Sequence, residues 1–136
     1  MANVVHKGSP MKTSGDLPKV GSKAPDFLLT TGDLKDVKLA DFAGKKKVLN
    51  IAHSLDTGTC AAAARRFNQE ASKLGNAVVL TISNDLPFAQ KRFCEAEGIK
   101  NVTTLSQMRN RDFGRDYGVA LVEGILKGLL TRAVVI

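Results

Sequence analysis

Tryptophan is absent from this chain, tyrosine occurs once, and aromatic residues make up only 5% of the 136 residues. The core must therefore be mostly aliphatic, and there is little from which to build a surface that stacks nucleobases on aromatic rings. Cysteine is almost as scarce. Cys60 and Cys94 are the only two, too few for a disulfide framework and wrongly spaced for the paired ligands of a zinc site, although they can still form a redox pair. No apolar run approaches membrane-spanning length, and Met1 to Pro10 holds no apolar stretch of signal-peptide size. The expected location is the cytoplasm, where a disulfide is more readily transient than structural.

What is present is ordinary for a soluble globular protein: 43% hydrophobic and 24% charged residues, in a length that suits one domain over residues 1–136 with a sizeable core of its own. The net charge of +7 attracts anionic partners at long range. Its distribution argues against nucleic acid, because Lys and Arg are scattered and the one tight run, Lys45-Lys46-Lys47, reads as a solvated approach to a buried strand. Neither a nucleic-acid nor a membrane partner is expected.

Along the chain, Val4 to Thr13 with Gly8 and Pro10 reads as a hairpin, and Gly15 to Pro25 as an irregular surface connection. Phe27 to Leu29 is a short apolar segment before the turn Thr31-Gly32-Asp33, and Asp41 to Gly44 reads as one helical turn. Lys47 to Ala52 predicts a buried strand. Thr59 to Leu74 predicts a helix with Ala63, Phe67, Ala71 and Leu74 on its inner face. Ala77 to Ile82 is the continuous apolar run of a strand covered on both faces. A second helix is expected from Leu86-Pro87 to Gly98 with Asp85 as its cap, then a strand at Val102 to Leu105, a helix at Gln107 to Asp116, a loop from Tyr117 to Gly128, and a last apolar run at Ala133 to Ile136. Strands alternating with helices predict an α/β fold with a central, partly parallel sheet.

The stretch Asp56-Thr57-Gly58-Thr59-Cys60 lies between the first buried strand and the first long helix. Asp56 and Thr57 can cap that helix, Gly58 permits the sharp turn, and Cys60 falls in the first helical turn, where unpaired N–H groups and the helix dipole favour thiolate over thiol. Cys60 is therefore the candidate nucleophile.

That stretch, with Val48-Leu49-Asn50-Ile51 before it, resembles the thiol peroxidase branch of the peroxiredoxins, the atypical two-cysteine kind. So do Gly21-Ser22-Lys23-Ala24-Pro25-Asp26-Phe27, Asn84-Asp85-Leu86-Pro87-Phe88-Ala89-Gln90, Arg92-Phe93-Cys94-Glu95-Ala96-Glu97-Gly98 and Leu126 to Val134. The resemblance implies a thioredoxin-like fold with a central mixed sheet flanked by helices and an N-terminal β-hairpin. It also implies reduction of hydrogen peroxide and organic hydroperoxides. Matched by motif, Cys60 is the peroxidatic cysteine, Thr57 its hydroxyl partner, Arg132 the active-site arginine and Cys94 the resolving cysteine, with a thioredoxin-type reductant and a homodimer. No cofactor or metal is implied. Two features depart from the pattern: His53 stands where the family has proline, and the chain is expected to lack the family's last strand and helix.

Other readings rest on fewer residues. Cys60, His53 and Asp56 are the types found in a hydrolase constellation, but partners of that kind usually come from distant segments. The two departures favour an altered peroxidase relative serving as a redox sensor or scaffold. Nucleic-acid binding rests on net charge alone.

Overall fold

The computed structural model describes residues 3–6, 9–71, 73 and 75–136. In chain order its elements are β1 (Asn3–His6), β2 (Ser9–Thr13), β3 (Leu28–Thr31), β4 (Asp36–Lys38), a 3-10 turn (Leu39–Phe42), β5 (Lys46–Ile51), α1 (Gly58–Ala71), β6 (Ala77–Ser83), α2 (Pro87–Glu97), β7 (Val102–Ser106), α3 (Asp112–Asp116), β8 (Leu121–Glu123) and β9 (Ala133–Val135). Gly8 of the expected hairpin turn and Leu74 of the expected helix face lie outside the described residues.

Six strands form one sheet in the order β4-β3-β7-β6-β5-β9, with β5, β6 and β7 parallel and the others antiparallel. β1, β2 and β8 form a second, antiparallel sheet. This is the expected α/β arrangement of a mixed sheet flanked by helices, with the N-terminal hairpin alongside.

Strand alternation divides the core in two. Leu49, Ile51, Leu80, Ile82 and Leu105 point to one face, where they meet Phe27, Phe113, Tyr117, Val119 and Leu130. Phe113 stacks on Tyr117 with ring centroids 4.4 Å apart, and the Tyr117 hydroxyl donates to the Pro25 carbonyl at 2.7 Å, so the one buried phenol is satisfied. The opposite face is covered by α1 and α2, where Leu55, Ala64, Val79, Ile99 and Val102 pack with Phe67, Ala71, Phe93 and Cys94.

Three expectations shift. The inner face of α1 runs through Cys60 and Ala64, both buried, and on to Phe67 and Ala71, so Ala64 rather than Ala63 meets the sheet. The third helix is only Asp112–Asp116, because Ser106 Oγ accepts from the Met108 N–H and Asn110 Oδ1 from the Asp112 N–H, local bonds that compete with a helix. The stretch after Tyr117 is not all loop, since β8 pairs with β2. The last apolar run supplies β9, an edge strand of intermediate exposure with Val134 47% exposed.

Candidate active site

β5, β6 and β7 run in parallel, so their carboxyl ends lie together, the usual place for a site in such sheets. The helix-side residues change character in register along them. Val48, Val79 and Val102 form one rung; Asn50, Thr81 and Thr104 form the next; Ser83 and Ser106 form the last. Apolar side chains thus give way to polar ones toward the carboxyl ends, where Asn50 Nδ2 donates to Thr81 Oγ1 at 3.4 Å.

α1 begins at this polar end, which puts Cys60 in its first turn with the side chain turned inward, 1% exposed and not in a disulfide. The loop before it is tightly bonded. The Ser54 carbonyl accepts from the Thr57 N–H at 3.1 Å and from the Thr57 hydroxyl at 2.8 Å, and the Thr57 carbonyl accepts from the Ala61 N–H at 2.9 Å. Thr57 therefore directs its proton back to Ser54, which leaves its oxygen lone pairs as acceptors. Asp56 is exposed, and its N–H donates to Ser54 Oγ at 3.1 Å. His53 is buried, 6% exposed.

Cys94 sits lower on the same side of the sheet. It comes seven residues after Pro87, whereas Cys60 comes two residues after Gly58, a difference of about 7–8 Å in rise along the helices. Its thiol is half-buried beside Thr104. Burial pushes that thiol above its ordinary range, the hydrogen bond with Thr104 pulls it down, and the Glu95 carboxylate pushes it up again. Both cysteines are free thiols, Cys60 buried and Cys94 half-buried.

Arg132 precedes β9, which pairs antiparallel with β5 through Ile51 and Ala133. One further step of that register sets Arg132 beside Ala52, at the strand end from which the Cys60 loop departs. Its side chain is exposed. Between Asp56 and α2 lies an open cleft of about 550 Å3, lined by Leu86, Phe88, Ala89, Arg92, Phe93 and Ala96. Among the described residues, no group of three or more His, Cys, Asp and Glu side chains is placed to hold a metal ion.

The residue that sequence reasoning misplaced is Asp85. Pro87 at the first position of α2 makes Leu86 the N-cap, and no side chain caps it. Asp85 lies one residue too early. Its carboxylate instead accepts from Ser54 Oγ at 2.6 Å, from the Leu55 N–H at 2.7 Å and from Ser83 Oγ at 2.9 Å. The position of Pro87 was the available signal, since it fixes which residue is the cap; the Ser54 partner had none.

Comparison with known proteins fits this arrangement. The Redoxin family pattern matches residues 19–136. A thiol peroxidase from Oceanobacillus iheyensis is 51% identical over 134 residues, covering 98% of this chain and 80% of the relative. A peroxiredoxin-like protein from Aquifex aeolicus superposes with a TM-score of 0.88 at 41% identity, covering 97% of this chain and 77% of that one. A thiol peroxidase from Chromobacterium violaceum gives 0.89 at 25% identity, with the same coverage of 97% and 77%. The fold is accordingly thioredoxin-like.

Proposed function

This chain belongs to the Redoxin family, in the thiol peroxidase branch of the peroxiredoxins, and from that premise we propose that it reduces hydrogen peroxide and organic hydroperoxides with Cys60 as the nucleophile. The Cys60 thiolate attacks the terminal oxygen and the O–O bond breaks; that oxygen stays on sulfur as a sulfenic acid, and the other leaves as hydroxide or alkoxide, which takes up the proton the thiol had released to solvent and departs as water or an alcohol. Two electrons pass from sulfur to peroxide. The Thr57 oxygen, with its own proton committed to Ser54, accepts from the hydroperoxide O–H. Arg132, beside the carboxyl end of β5, supplies positive charge to the departing oxygen.

Cys94 then attacks the sulfenic acid, forming a Cys60–Cys94 disulfide and releasing water, once the later turns of α2 have opened. A thioredoxin-type dithiol restores both thiols by exchange and becomes a disulfide itself. The same reading takes the protein as a cytoplasmic homodimer without nucleic-acid or membrane partners; no helix of the described residues is long and apolar enough to cross a membrane.

The observation that carries the reading is the buried Cys60 thiol in the first turn of α1, at the carboxyl ends of the parallel strands. Peptide mapping after stoichiometric peroxide tests it. A Cys60–Cys94 disulfide is expected, and its loss in Cys60→Ser. Hyperoxidised Cys60 alone would remove the resolving role of Cys94. A folded chain whose Cys60 ignores peroxide would favour a second reading, a redox sensor or scaffold. That reading draws on His53, a buried imidazole where the family carries proline.

A further inference from the structure

The turn Ser83-Asn84-Asp85 joins β6 to the helix that carries Cys94, and its side chains reach in two directions. Asp85 bonds to Ser54 and to the Leu55 N–H, and Ser54 in turn holds Thr57, whose carbonyl starts the α1 ladder at Ala61. This is an unbroken chain from Asp85 to the turn containing Cys60. Asn84 reaches the other way. Its Nδ2 donates to the Gly128 carbonyl at 2.5 Å, and its Oδ1 accepts from Gln107 Nε2. Gly128 lies in the turn just before Arg132, where the Leu121 and Leu129 main chains also bond each other.

The turn itself is anchored from below. Ser106 Oγ donates to the Asp85 carbonyl at 2.5 Å, and buried Gln90 donates to Ser83 Oγ and to the Leu105 carbonyl. Removing either carboxylate or amide leaves these bonds in place. The two arms can therefore be cut separately from the anchor.

We propose that Asn84 and Asp85 are positioning residues that form a two-armed clamp, Asp85 setting the Cys60 loop and Asn84 setting the loop before Arg132, so that both are held in register on one fixed turn. The role in catalysis rests on the peroxidase reading, but the clamp itself does not. A carboxylate suits the first arm because all three of its partners donate. An amide suits the second because one partner donates and the other accepts.

The parent chain is compared with Asp85→Ala, Asp85→Asn, Ser54→Ala and Asn84→Ala by hydrogen–deuterium exchange and by trapping the Cys60 sulfenic acid. Asp85→Ala and Ser54→Ala should each speed exchange in residues 52–61 about tenfold and leave 124–131 unchanged, whereas Asn84→Ala should do the reverse. Peroxide oxidation of Cys60 should slow by about tenfold in Asp85→Ala and Ser54→Ala. The double variant should be no slower than either, because both cut one arm. Asp85→Asn should recover part of the rate, since one amide oxygen can still serve Leu55 and Ser83. Unchanged exchange in 52–61, equal acceleration along the whole chain, or Asp85→Ala oxidising at the parent rate would each overturn the proposal. If the parent chain itself fails to react with peroxide, the peroxidase reading falls, and the exchange pattern alone decides the clamp.

Discussion

On one face of the central sheet Leu49, Ile51, Leu80, Ile82 and Leu105 present only hydrocarbon, whereas on the other the same three parallel strands pass from Val48, Val79 and Val102 to Asn50, Thr81 and Thr104 and then to Ser83 and Ser106. The first face is packed by Phe113, Tyr117 and Leu130; the second lies under the two helices that carry the thiols. Both faces are buried, so burial alone does not separate scaffold from site. What separates them is where the polar rungs fall. Buried polar groups need specific partners in specific directions, and here those partners fix the geometry of the loops around Cys60.

Two positions of β6, one on each face, give the strongest test of that division. Leu80→Ala on the hydrocarbon face should cost about 2–5 kcal/mol in urea unfolding, while the folded molecules oxidise Cys60 at the parent rate. Ser83→Ala on the other face should cost only about 1 kcal/mol, yet slow that oxidation, because Ser83 supports Asp85 and Gln90. Equal slowing by Leu80→Ala would break the comparison.

Alkaline titration sharpens it with a smaller effect. Burial holds the Cys94 thiol above its ordinary 9.0 on the helix face. Burial, with Asp26 and Asp116 nearby, raises the Tyr117 phenol from 10.0 to about 12 on the other. In each case the native state keeps a proton that the unfolded chain gives up. Stability is thus full below the unfolded value and is lost as pH rises through the folded one. Urea midpoints across the alkaline range should fall in two stages, the first absent in Cys94→Ser and the second in Tyr117→Phe. Identical curves for the two variants would mean that the faces do not titrate separately.

The smallest change is expected at the Arg65–Glu97 pair, which links α1 to α2 at 3.3 Å with both side chains exposed. Arg65→Ala should shift stability by less than about 1 kcal/mol. A larger loss in thermal unfolding would show that the helices on the thiol face depend on each other more than on the sheet.

Much of this was legible in the chain. The aliphatic runs at Lys47 to Ala52 and Ala77 to Ile82 announced the central strands, and Pro87 with Gly98 bounded α2 closely. Gly98, in the left-handed region at φ 67°, ends that helix as expected. Less was legible where side chains bond their own backbone. Gln107 to Arg111 carried a helical pattern that Ser106 and Asn110 cancel locally. Strand β8 was hidden because three residues carry almost no periodicity without their partner β2.

The sequence by itself determined the family, the α/β order of elements and the place of Cys60 in a helical first turn, because these follow from local pattern and motif. Only the tertiary structure decided that Cys60 faces inward rather than outward, that Cys94 lies deeper along its helix, and that Asp85 bonds across to Ser54 instead of capping α2. Each of those depends on which distant segments the sheet brings side by side, and a hydrogen bond across 31 positions leaves no periodic trace in the chain.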